Sequence, residues 1–184
     1  MSMASTPEVE AVLNECVNLL IVYYSYIETV NRFDKQAATR FDLFKWRIQI
    51  RVLANDLILR LCRLDDDDRS QHSLREALRS IRGSLSNAET QTIDKRLKAY
   101  RRLINPLKTK ARNYYLAHLS KEAGVPKATD ASELLGNFQK QVAEVINIVD
   151  LIAGDGENIK YTLRAGSQER ELDLRHELLS ESGC

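Results

Sequence analysis

The sequence predicts an all-α protein, an antiparallel up-and-down helical bundle of four to five main helices with a short C-terminal appendage. Apolar residues recur at steps of three and four through several long segments. Capping residues open those segments, and the connections between them are short, which makes consecutive helices antiparallel neighbours. No segment shows sustained period-two alternation, and no Gly-rich turn joins two strand-like runs.

The first helix is written by Val9, Leu13, Cys16, Leu20, Tyr23, Ile27 and Val30, which alternate steps of four and three. Thr6 and Pro7 stand where an N-cap and a first helical residue belong. The second repeats the pattern with Trp46, Ile50, Leu53, Leu57, Leu61 and Leu64 and adds a row at Phe41, Phe44, Ile48 and Val52. Two apolar rows mark it as a central helix. It should fray into Asp65-Asp66-Asp67-Asp68, where adjacent carboxylates repel and oppose the negative end of the helix dipole.

Ser73 with Glu76 and Ser86 with Glu89 are capping-box patterns, predicting a short helix near 74–82 and a longer one from about 88. The longer one carries Ile93, Leu97, Tyr100 and Ile104. Asn105-Pro106 then reads as a break or kink, since proline suits a first helical position and removes a hydrogen bond elsewhere. A further helix is expected over about 106–121, closing at Ala123-Gly124-Val125-Pro126. After Asp130 comes the cleanest seam, Leu135, Phe138, Val142, Val145, Val149 and Ile152, ended by Gly154-Asp155-Gly156. Beyond it the reading is a strand near 160–164 and a short helix near 169–179.

There is no internal repeat and no low-complexity linker. Residues 1–155 are therefore expected to form one domain, with 156–184 an appendage too small to be another. Of the 184 residues 43% are hydrophobic and 29% charged, with a formal net charge of +1; this is an ordinary soluble composition in which any nucleic-acid contact must be local. Cys16, Cys62 and Cys184 give neither a disulfide framework nor a paired zinc spacing, so a reducing, cytoplasmic setting is expected, with no metal and no cofactor. Met1 to Glu10 has no basic signal-peptide region, and the apolar run Val17 to Ile27 is too short for a bilayer, so no membrane partner is expected.

The stretch Arg112-Asn113-Tyr114-Tyr115-Leu116-Ala117-His118 carries the chemistry. Cleaving RNA without a metal needs a base for the ribose 2′-OH proton and a cation for the charge growing on phosphorus. Histidine exchanges protons near neutrality, and arginine offers a permanent fork for two phosphate oxygens. The plain alternative makes Arg112 a surface charge and His118 a last-turn histidine. Six residues put the pair about 240° apart around an ideal helix and about 9 Å apart along it. Either the helix distorts near Leu116 to His118, or two copies of it face one another across a symmetric dimer.

The approach to this motif is basic: Lys95, Arg96, Lys98, Arg101, Arg102, Lys108, Lys110 and Arg112 stand against the single acid Asp94. Such a cluster is either a footprint for a polyanion or a solvated helix face. Tyr100, Tyr114 and Tyr115 interleave with it, as base-stacking or as core residues.

Arg112-Asn113-x4-His118, with five residues between the arginine and the histidine, late in a helical chain, resembles the signature of the HEPN superfamily. The flanks, Arg60-Leu61-Cys62-Arg63-Leu64-Asp65, then Ser73-Leu74, then a basic helix running into Tyr115-Leu116-Ala117-His118, resemble its abortive-infection U-type branch over roughly residues 5–153. The resemblance implies a metal-independent endoribonuclease, a toxin or phage-defence effector acting as a homodimer whose motifs line one cleft. An antitoxin or other regulatory protein is a further partner it implies. Arg112 would hold the scissile phosphate, His118 would transfer protons, and Asn113 would orient one of those two or the phosphate. Arg101, Arg102, Lys108 and Tyr115 are the expected RNA contacts. Asp65 matches an acidic position of the branch, as a support for Arg112 or His118 or as one of four solvated aspartates. Ser120 stands where some relatives carry a tyrosine. The alternative function is a non-catalytic helical module that binds nucleotide, RNA or a protein partner through the same cleft.

His72 and His176 lie outside any ligand spacing, and Gly154-Asp155-Gly156 is too short for a phosphate loop.

Overall fold

A computed structural model describes residues 6–33, 37–66, 72–119, 138–154, 162–165 and 168–173, with the side chains of 110–119 and of 162–173 outside that description. The chain is an all-α helical bundle built from α1 (Pro7–Asn31), α2 (Arg40–Leu64), α3 (Leu74–Ile81), α4 (Asn87–Leu119) and α5 (Phe138–Ala153), followed by the strands β1 (Thr162–Ala165) and β2 (Gln168–Asp173).

Thr6 caps α1 as its sequence requires, its hydroxyl accepting from the Val9 amide at 3.3 Å with Pro7 in the first turn. The buried face of α1 is broader than a single seam, because Val12, Leu19 and Tyr26 join Val9, Cys16, Leu20 and Tyr23. A capping box between Thr39 and Asp42 opens α2. The two helices run antiparallel: near one end Arg60 Nη1 pairs with Glu15 at 3.0 Å, and at the other Trp46 Nε1 donates to the Thr29 carbonyl at 2.9 Å. Phe33 stacks on Trp46 with ring centroids 4.6 Å apart.

The core runs through all five helices, from Leu19 and Leu20 through Leu57, Leu61 and Leu64 to Leu74, Ile93, Tyr100, Ile104, Phe138 and Ile146. The short α3 belongs to it by virtue of Leu74, Ala77, Leu78 and Ile81, all buried on one side. On α5 every seam residue expected from Phe138 onward is buried, and Gly154 ends the helix at φ 77°, a left-handed conformation that a glycine adopts without strain. Leu135 and the stop signal at 123–126 lie outside the described residues.

Three expectations are corrected. The second apolar row of α2 does not make it a central helix: Phe41, Phe44, Ile48 and Val52 are exposed. Asn105-Pro106 does not divide the chain into two helices, for α4 passes through it unbroken. Pro106 has no N–H for the Arg102 carbonyl, a loss of about 3 kcal/mol in an ordinary helix interior. Burial of Ile104 and Leu107 on either side holds the helix together regardless. Finally, the helix expected near 169–179 is a strand over Gln168–Asp173, paired antiparallel with β1 so that Leu163 faces Leu172 and Thr162 faces Asp173. Residues 174–179 lie outside the described residues.

Candidate functional site

Asp65, the C-cap of α2, is the acidic residue on which the site's scaffold turns. It is 2% exposed, in contrast to the solvated helix end expected of the aspartate run. Arg101 Nε donates to both carboxylate oxygens at 3.2 Å, and Lys108 Nζ donates to Oδ2 at 2.7 Å. The Asp65 carbonyl accepts from the same two side chains at 3.4 Å each. One turn earlier the Tyr100 hydroxyl donates to the Leu61 carbonyl at 2.7 Å, giving one of the open acceptors at the end of α2 a partner.

These contacts reach α4 on both sides of Pro106. Tyr100 and Arg101 lie before it and Lys108 after it, so the end of α2 grips the two halves of a helix whose own hydrogen bonding is interrupted between them. Arg112 stands four residues, one helical turn, beyond Lys108. Asp65 thus holds α4 at two points before the motif. The cations it holds are Arg101 and Lys108.

Burial and polar contact also set the local titration behaviour. Tyr100 is fully buried, and desolvation, with the Asp65 carboxylate adding to it, pushes its hydroxyl well above its ordinary value. That places Tyr100 in the core rather than among base-stacking residues. Burial likewise raises the Cys62 thiol, an effect that the nearby Lys108 ammonium opposes and Asp65 assists.

The basic stretch of α4 divides into two groups. Arg96 Nη1 donates to both carboxylate oxygens of Glu144 on α5 at 3.2 Å, while Arg101 and Lys108 are committed to Asp65. Lys95, Lys98 and Arg102 are exposed, and at 100° per residue they fall within an arc of about 60° on one side of α4. Of the expected RNA contacts among the described side chains, Arg102 alone is exposed. Lys95 and Lys98 extend its row, and the signal was their i, i+3, i+7 spacing. Arg112, Asn113, Tyr115 and His118 all lie on the last turns of α4, and their side chains are outside the described part of the structure. The helix is continuous across both ends of the motif.

A groove of about 410 Å³ lies between the end of α1 and the start of α2, lined by Glu28, Arg32, Phe33, Lys45 and Trp46 among others. It adjoins the opposite end of α2 from Asp65 and contains none of the motif. No helix among the described residues is long and apolar enough to cross a membrane.

Comparison with curated proteins returns no match, and comparison with solved structures returns none either. The family model described as AbiU2, a HEPN family, matches residues 6–152, the whole of the helical bundle and the motif within it. Spanning all five helices, that match establishes that the chain belongs to the AbiU2 family of HEPN domains.

Proposed function

We propose that this chain is a metal-independent endoribonuclease of the HEPN type, a toxin or phage-defence effector whose active cleft is shared by two copies. The observation that carries this reading is the Arg112-Asn113-x4-His118 spacing on the final turns of α4, in a chain of the AbiU2 family. A regular helix winds the two positions about 240° round its axis, about 120° apart by the shorter way, so a second copy supplies the complementary half of each site.

In the proposed reaction the Arg112 guanidinium grips two non-bridging oxygens of the scissile phosphate and compensates the charge that builds on them. Neutral His118 accepts the proton of the 2′-OH as that oxygen attacks phosphorus. The bond from O2′ to phosphorus forms and the bond to O5′ breaks. The departing O5′ takes up a proton from water while His118 returns its own to solvent, leaving a 2′,3′-cyclic phosphate and a 5′-hydroxyl. Asn113 orients His118 or the phosphate. Lys95, Lys98 and Arg102 form the track along which the RNA backbone approaches, and its binding is salt-dependent.

Purified full-length protein is expected to cut RNA in excess EDTA and to leave cyclic-phosphate ends. His118→Ala should abolish the cutting with fold and association intact, and undiminished cleavage by that variant would refute the proposal. The exposed basic row favours one other reading, an RNA-binding module without turnover. It predicts salt-sensitive binding that weakens on Arg102→Ala, with no product from the wild type.

A further inference from the structure

The outer side of α4 carries more than the three cations of the track. Lys95, Lys98, Arg102, Asn105 and Thr109 are all exposed, and at 100° per residue they fall within an arc of about 80°. Their order along the helix is i, i+3, i+7, i+10 and i+14. The next position in that series, i+17, is Arg112, about 26 Å along α4 from Lys95. The lane crosses Pro106 because the helix does, and Arg101 and Lys108, both gripping Asp65, border it, one before the proline and one after.

The charges leave the lane with one sign. No acidic residue of α4 falls within the arc. Asp94, at its border, is taken up by Arg82 at 3.3 Å, and two cations share the single carboxylate of Asp65 beside it. Asn105 and Thr109 add no charge, and the Thr109 hydroxyl donates to the Asn105 carbonyl at 3.0 Å. A polyanion laid along the lane therefore meets Lys95, Lys98 and Arg102 in succession, with no carboxylate of the helix between them and the motif.

Such a lane addresses the backbone of a nucleic acid and leaves its bases alone. Tyr100 is the one aromatic residue among the described side chains of α4, and it is buried, so bases passing over the lane find no stacking partner. One row of side chains follows one strand, whereas duplex recognition draws on the phosphates of both. A strand stacked as in a duplex advances about 3.4 Å per nucleotide and a drawn-out one about twice that, so about 26 Å of lane holds about four to eight nucleotides.

We infer that the substrate is a single strand held by its phosphates along this lane, extending about four to eight nucleotides from the scissile bond, with the bases there unread. Dinucleotides are then poor substrates, because they occupy the motif without reaching Lys98 or Lys95. In placing the scissile bond at the end of the lane, the inference rests on the ribonuclease reading. Strand binding is measured apart from cleavage, so the failure of either is distinguishable from the failure of the other.

The test is a ladder of DNA strands, each with one ribonucleotide to fix where cutting occurs and with nucleotides added to each side of it in turn. With the full chain, kcat/KM should climb up to about the fourth added nucleotide and level off by about the eighth. All-deoxy strands of the same lengths, titrated by fluorescence anisotropy, should show the same climb in affinity. Three phosphate contacts should make the advantage of the longest strand over the shortest about twentyfold smaller at about 200 mM salt than at about 50 mM. Lys95→Ala, Lys98→Ala and Arg102→Ala combined should remove that advantage at unchanged melting temperature, and Lys95→Arg with Lys98→Arg should keep it. Affinity that is flat along the ladder overturns the inference. So does an advantage that survives the triple variant, follows the bases of the added nucleotides, or is matched by a blunt duplex of equal length. A climb in affinity with no strand cut, all-RNA strands included, supports the lane and overturns the ribonuclease reading alone.

Discussion

Replacing Asp65 with asparagine removes one charge at nearly constant volume, and the structure sets what that costs. The carboxylate side chain is 1% exposed, whereas its partners Arg101 and Lys108 are 32% and 35% exposed. Breaking a buried pair costs 3–5 kcal/mol when the surviving charge is trapped. Here both cations can turn toward water, which lowers the expected cost to about 2–3 kcal/mol, in the range of hydrogen bonds to charged groups. For a chain of this length that is a fall of roughly 4–12 °C in melting temperature, readable by circular dichroism or calorimetry. The effect should also be local: amide exchange should accelerate over residues 107–119, beyond the proline, more than over 87–104. A loss below about 0.5 kcal/mol, the value of a surface ion pair, would refute the reasoning, as would uniform acceleration along α4.

Tyr100→Phe should cost about 1–2 kcal/mol in denaturant unfolding through the orphaned Leu61 carbonyl, and should leave RNA affinity unchanged because the ring is in the core. Arg102→Ala should reduce the salt slope of RNA binding by about one, as loss of a single phosphate contact does, in a filter-binding titration over a salt series. Hydrogen bonds from the Ser86 hydroxyl and amide hold Glu89 below its ordinary 4.5. The unfolded chain therefore binds the proton first as pH falls, and this cap's contribution, present above the ordinary value, is lost as pH drops through the lower folded one. Glu89→Gln should remove that part of the acid sensitivity in melts between pH 7 and 3.

Features set by near neighbours in sequence were legible. Thr6 with Pro7, Ser86 with Glu89, and the Phe138 to Ile152 seam each depend on residues within a turn or two, and each stands as read. The misreadings involve distant partners. Asp65 is indistinguishable from its three following aspartates until Arg101 and Lys108, 36 and 43 residues on, fold against it. Pro106 carries the signature of a helix start, and only the burial of Leu107 and the grip on Lys108 keep α4 whole. The apolar row of α2 has the periodicity of a buried face, a pattern that does not say whether this chain or another covers it. The strand read near 160–164 is present as β1, but β2 was missed because Gln168-Glu169-Arg170-Glu171 has the composition of an exposed helix, although Gly166-Ser167 between the strands is turn-forming sequence. The motif itself was legible as a spacing, and the family it resembles is the one whose model matches residues 6–152.

The most direct test of a site built by two chains is to mix two inactive variants, Arg112→Ala and His118→Ala, and assay RNA cleavage after the copies have exchanged. Each mixed dimer then holds one site with an intact arginine from one chain and an intact histidine from the other. Activity should return to about a quarter of the wild-type value, since half the dimers are mixed and each carries one working site of two. A mixture that exchanges fully and stays inactive would contradict the shared cleft.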